Sequence, residues 1–218
     1  MSISTKEKPM NSTKEKVSYC IGLEAGRNIR GQFADIDEDC LRDGFMDALS
    51  TSEGPKLPQE EVQSIMQALR GQVESQQRQH FARVAEENKK RSEDFLTENK
   101  KQEGVKVLST GLQYKVLSSG HISEQSPTSL DFVKIHYRGS FIDGRVFDSS
   151  YQRGQPQVFP LNRVIPGWTE ILQLMHVGDK WQVFIPHYLA YGENGLGQVI
   201  GPNVALIFEI ELIAINQN

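Results

Sequence analysis

The sequence predicts an α+β protein in which helices come first and strands follow. Three observations carry this. Up to about Glu103 the apolar residues recur at three- and four-residue spacing, as on one face of a helix. From Gly104 onward they alternate with polar residues in short runs, the period of a half-buried strand. Most of the prolines and glycines fall in that second stretch, where they punctuate turns. Helices and strands in separate blocks argue for separate folding units.

Residues 1–16 are rich in Lys, Glu, Ser and Thr and read as a disordered tail. Residues 17–57 read as a helical module. Tyr19, Leu23, Gly26 and Phe33 make one stripe, and Asp37 is placed to cap a second helix with Leu41, Phe45, Ala48 and Leu49 on one face. Ser50–Pro55 breaks that helix. Residues 58–103 read as one long connecting helix. Pro58 suits its first position, and Glu60 and Glu61 suit its positive first turn. At ~1.5 Å per residue it would span about 69 Å, too long for a small domain. Val62, Met66, Leu69 and Val73 stripe its first half. In the second half Phe81, Val84, Ala85 and Phe95 are scattered among charges, so that half is expected to stand in water. A helical module under ~60 residues buries too little surface to be stable alone. Residues 17–57 and the first half of the long helix are therefore expected to form a two-fold homodimer.

Net charge is -4 and the pI about 5.8, so no basic field attracts nucleic acid or anionic lipid. No segment approaches the ~18 apolar residues of a membrane span. The first residues carry no apolar secretory core, so a cytoplasmic location is expected, or a periplasmic one if a signal peptide has been removed. Cys20 and Cys40 fall inside helical patterns and are expected as small buried side chains rather than a disulfide. His80, His121, His136, His176 and His187 show no metal-site spacing and read as surface or filler. No Ser/His/Asp or Cys/His constellation stands out. Neither metal nor cofactor is expected.

Residues 104–218 hold the chemistry. In Val133–Arg138, Val133, Ile135 and Tyr137 alternate with Lys134, His136 and Arg138. Asp143-Gly144 is a strong hairpin signal, and the return strand presents Phe147 and Asp148. Pro166-Gly167 opens a short helix with Trp168, Ile171, Leu172 and Met175 on one face. By spacing alone, Trp168 belongs to the core. Lys180–Pro186 reads as a strand leading to Tyr188-Leu-Ala-Tyr-Gly192, and Val204–Ile215 as a long strand with Leu206, Phe208, Ile210 and Leu212 on one face. Gly195-Leu-Gly197 is followed by a strand, not a helix, so it is no phosphate loop.

Taken in order, Val133–Gly139, Asp143–Ser150, Val164–Trp168, Leu189–Gly192 and Leu206–Leu212 resemble the FK506-binding-protein (FKBP) type peptidyl-prolyl isomerases over about Ser109 to Asn218. Val17–Gly26 and Asp43–Leu49 resemble the macrophage-infectivity-potentiator (Mip) branch of bacterial FKBPs, which joins a dimerisation module to the catalytic domain by a long helix. The resemblance implies an antiparallel sheet of five or six strands wrapped around a short helix. It implies a proline pocket in which Tyr137, Phe147, Asp148, Tyr191 and Phe208 are catalytic and Val164, Ile165, Trp168 and Ile200 bind substrate, with Arg153 supporting Tyr137 and Asp148. It thereby moves Trp168 from core to pocket floor. Gln157, Arg163 and Leu196 depart from the family pattern at the rim. The expected activity is X-Pro isomerisation in proline-containing peptides and unfolded proteins, with macrolide inhibitors as further ligands. A non-catalytic peptide-binding scaffold using the same pocket is the alternative.

Overall fold

The computed structural model describes residues 10–33, 35–50, 55–120 and 126–216. Helix α1 (Thr13–Gln32) begins inside the stretch assigned to the tail, because Ser12 and Glu15 make a capping box. The Ser12 hydroxyl accepts the Glu15 N–H at 3.2 Å and the Glu15 carboxylate accepts the Ser12 N–H at 3.0 Å. Asp37 caps α2 (Glu38–Leu49) as expected, accepting the Cys40 N–H at 2.8 Å. The break after Ser50 falls mostly outside the described residues. Helix α3 (Gln59–Asn99) starts beside Pro58, whose carbonyl accepts the Val62 N–H, and ends four residues before Glu103. Gly104 then adopts φ +80, a turn conformation suited to glycine.

The chain forms two compact units, one ending at Arg70 and one running from Gly71 to Asn218. In the first, no residue of α1 or α2 is buried. Tyr19, Ile21, Phe45 and Leu49 all lie exposed. Cys20 and Cys40 are exposed too, against expectation: helical spacing reveals a shared face, but within one chain these faces have no core to enter. No described helix is long and apolar enough to cross a membrane.

The second unit is built on an antiparallel sheet. Its strands are β1 (Val105–Val107), β2 (Gln113–Ser118), β3 (Phe132–Phe141), β4 (Val146–Ser149), β5 (Gln157–Pro160), β6 (Lys180–Ile185) and β7 (Leu206–Ile215). They run in the order β1-β2-β6-β7-β3-β4, with β5 also paired to β3. The short β1 and β5 raise the number to seven among the described residues, above the five or six implied by resemblance. Helix α4 (Pro166–Leu172) packs its Ile171 and Leu172 fully out of solvent. Val133, Ile135 and Tyr137 of β3 and Leu206, Phe208, Ile210 and Leu212 of β7 supply the other wall of the core, as their alternation predicts, together with Val183 and Ile185 of β6. The turn at Asp143-Gly144 closes with Gly144 at φ +87 and its N–H on the Phe141 carbonyl at 3.0 Å.

The second half of α3 does not stand free in water. Ser92 is buried, and the Phe95 ring lies 6.0 Å from that of Phe184. Gln113 donates to the Leu96 carbonyl at 2.8 Å and accepts from Asn99 at 2.9 Å. These are contacts between residues remote in sequence, which periodicity within the helix does not reveal.

Candidate active site

The site is organised around a missing side chain. In the sheet register Gly139 of β3 faces Phe208 of β7 on one side and Asp148 of β4 on the other. A Cβ here would lie 2.7 Å from ring atoms of both Phe147 and Phe208. Glycine therefore lets two aromatic rings close over the strand, and they meet edge to face at 5.7 Å and 90°. Trp168, in the first turn of α4, forms the floor. Its ring stands edge-on to Tyr137 at 5.0 Å, Phe208 at 5.1 Å and Phe159 at 5.7 Å. Gly167 admits this packing, since a Cβ there would come within 2.6 Å of the Ile185 side chain. The indole Nε1 is buried and meets no acceptor among the described residues.

These rings enclose a cavity of about 280 Å³, close to the lower end of small-ligand sites. Eight of the expected residues line it: Tyr137, Phe147, Asp148, Val164, Ile165, Trp168, Tyr191 and Phe208. Two others do not. Arg153 sits beside Tyr137 and Asp148, as the resemblance implies, but outside the lining. Ile200 is 2 % exposed in the core, where its carbonyl accepts the Leu196 N–H at 2.7 Å. Phe159 was missed and lines the cavity; β5 is too short to show an alternation, and only its aromatic residue before Pro160 hinted at it. Arg163, noted only as a rim departure, lines it as well. Gln157 turns its amide to the Pro156 carbonyl at 3.2 Å, and Leu196 is exposed.

Besides Arg163, a hydrogen-bonded polar cluster touches this apolar space. The Tyr137 hydroxyl donates to Asp148 Oδ2 at 2.6 Å and accepts from Arg153 Nη2 at 2.7 Å, while Arg153 Nη1 pairs with Asp148 Oδ1. Partial burial pushes the Asp148 carboxyl up, but the bonds from Tyr137 and Arg153 and the guanidinium charge outweigh it and hold the group below the usual carboxylate range. Burial, then the bond to Asp148, pushes Tyr137 up to about 12. Burial, then the Asp148 charge, raises Tyr191. The acid is thus an ionised, fully engaged acceptor and the tyrosines are neutral donors. This chemistry suits holding a polar ligand atom at the rim of an apolar cavity, not moving protons near neutral pH.

Of the histidines, His136 bonds Ser150 Oγ at 2.9 Å and stacks on Tyr151. His187 is part-buried, with its Nδ1 meeting no partner among the described residues. His121 lies outside the described residues. Among those residues no group of three or more His, Cys, Asp or Glu could hold a metal ion.

Residues 123–213 match the family model described as FKBP-type peptidyl-prolyl cis-trans isomerase, and residues 14–116 match the domain amino-terminal to it. The chain is 41% identical to the Coxiella burnetii peptidyl-prolyl cis-trans isomerase Mip, over 96% of this chain and 90% of that one. It is 40% identical to the Legionella longbeachae outer membrane protein MIP, over 95% and 88%. Among solved structures, Escherichia coli FkpA superposes with a TM-score of 0.74 at 33% identity, covering 95% of this chain and 99% of that one. The expected cytoplasmic location gains no support from these relatives, one of which is named for the outer membrane. A glycine-centred aromatic cavity on an antiparallel sheet, both family models and full-length relatives lead to one conclusion: the chain belongs to the FKBP-type peptidyl-prolyl cis-trans isomerases, in their Mip-like bacterial branch.

Proposed function

We infer that the cavity between Trp168, Phe147, Tyr191 and Phe208 accelerates cis-trans isomerisation of X-Pro bonds, and that the chain does so on folding proteins as a dimer. The observation that supports the first part is an aromatic space with the Tyr137–Asp148–Arg153 cluster and Arg163 at its rim. Amide resonance sets a barrier near ~20 kcal/mol to rotation about an X-Pro bond. Rotation breaks the resonance and makes the amide less polar. A desolvated apolar cavity then favours the twisted state over the planar one, which is differential binding of the transition state without nucleophile or metal. In this reading Tyr191 donates its hydroxyl to a substrate carbonyl. Asp148, bound to Tyr137 and Arg153, organises the rim. Names of curated relatives as isomerases weigh against a non-catalytic scaffold.

The second part rests on α1 and α2, which bury no residue and leave Tyr19, Ile21, Phe45 and Leu49 exposed. A second copy of the same faces is the occupant that completes such a module. Two pockets on one dimer would grip an unfolded client with raised effective concentration. We divide the chain accordingly into a dimerising module up to residue 57, a linking helix to 103 and an isomerase domain from 104. A periplasmic site of action fits the Legionella relative's name better than the cytoplasm.

The test is a prolyl-isomerase assay on short peptides and on a protein whose refolding is limited by proline, with and without rapamycin or tacrolimus. Isomerisation blocked by either macrolide is expected. Full peptide activity with reduced protein refolding after removal of residues 1–57 supports the paired grip; an equal loss on both substrates refutes it.

A further inference from the structure

We propose that Ser92 and Asn88 of α3 position the Tyr191 side of the pocket, so that the end of the long helix is part of the working site. This rests on the placement of Tyr191 in the isomerase pocket.

The wall carrying Tyr191 leads into a loop that returns to β7 and Phe208. Four bonds fasten the end of that loop to the helix. Ser92 Oγ donates to the Asn203 carbonyl at 2.9 Å and accepts the Ala205 N–H at 2.9 Å. Asn88 Nδ2 donates to the Pro202 carbonyl at 2.9 Å. Asn203 also reaches back, its Nδ2 donating to the Ala85 carbonyl at 3.2 Å. Asn203 is then the node. It is buried, holds a left-handed φ of 56, and donates its own N–H at 2.9 Å to the carbonyl of Gly192, the residue after Tyr191. A continuous path of hydrogen bonds therefore runs from Ser92 through Asn203 to the backbone beside Tyr191. The loop approaches closely enough that a Cβ on Gly201 would stand 3.1 Å from Asn88 Nδ2.

Ser92 is 3 % exposed on a helix whose other buried residues number none. An interior helical serine normally weakens a helix slightly. Here its hydroxyl both donates and accepts, satisfying two backbone groups that burial would otherwise leave unpaired. The match to the isomerase model begins at residue 123, so this anchor comes from outside the segment that carries the pocket.

The experiment is a double-mutant cycle in the full chain, read by kcat/KM on a short prolyl peptide and by amide hydrogen exchange. S92A is expected to lower kcat/KM about three- to tenfold, as small misplacement of a site group does, and to speed exchange at Gly192–Ala205 but not in β3. In a Y191A background the same substitution is expected to cost less than about twofold, since the group it positions is gone. N88A, which removes the single bond to the Pro202 carbonyl, is a milder second variant with the same pattern. An unchanged rate in S92A and N88A, or an equal loss in both backgrounds, overturns the proposal. If Y191A alone keeps the parental rate, the pocket reading fails and the anchor falls with it. If Y191A is impaired and S92A is not, only the anchor fails.

Discussion

Replacing Gly139 by alanine tests the architecture of the pocket without touching any polar group. Gly139 is not in the left-handed region, so the backbone accepts alanine, and space alone decides. The added Cβ would meet Phe147 Cζ and Phe208 Cε1 at 2.7 Å each. To reach ordinary contact near ~3.5 Å, the two rings together must give by about 0.8 Å on each side. They are not free to do so. Phe208 leans on Trp168 at 5.1 Å and Phe147 on Phe141 at 5.1 Å, so the displacement passes to the cavity floor. Overpacking of this kind costs about 1–3 kcal/mol, and at this size should lower Tm by about 3–10 °C. Because both displaced rings line the cavity, kcat/KM on a prolyl peptide should fall at least about tenfold, measured well below the new Tm. A variant with lowered Tm and parental kcat/KM would refute the reasoning, because it would mean that ring placement around Gly139 does not set the activity.

Other expectations follow from the same site. The peptide isomerisation rate should be flat from about pH 5 to 9. Asp148, held below its ordinary value of 3.8, contributes fully above that value and loses its contribution only as pH falls through the lowered one, whereas Tyr137 at about 12 and the raised Tyr191 stay protonated throughout. A transition between pH 6 and 8 would show that a group outside this cluster takes part. Arg153→Ala removes a donor to both Tyr137 and Asp148. Its exposure keeps the cost in denaturant unfolding small, with a loss of activity of about threefold on peptides. Phe45→Asp combined with Leu49→Asp should convert a dimer to a monomer by sedimentation velocity at micromolar concentration, with peptide activity kept. A parental protein that sediments as a monomer would defeat the dimer.

Strands β3 and β7 were legible because buried and less buried residues alternate along them. Tyr137, Phe208 and Leu212 occupy the faces that their alternation assigns. Trp168 was different. Its spacing with Ile171 and Leu172 speaks of core, and only resemblance placed it at the pocket, where it is both buried and lining. Ile200 followed the resemblance but is buried in the core, outside the cavity lining. The contacts of Ser92 and Asn88 had no signature at all. They are hydrogen bonds to backbone groups more than a hundred residues away, which no local pattern encodes. Cys20 and Cys40 show the opposite limit: a helical stripe says which side chains travel together, not whether one chain can cover them.

The two tryptophans divide the molecule optically. Trp168 lines the cavity, whereas Trp181 lies in β6, stacked on Tyr114 at 4.7 Å and away from the lining. Any occupant of the cavity must touch one indole and leave the other alone. Intrinsic fluorescence therefore gives the pocket its own reporter, with Trp181 as a steady background against which ligand titrations can be read without a label.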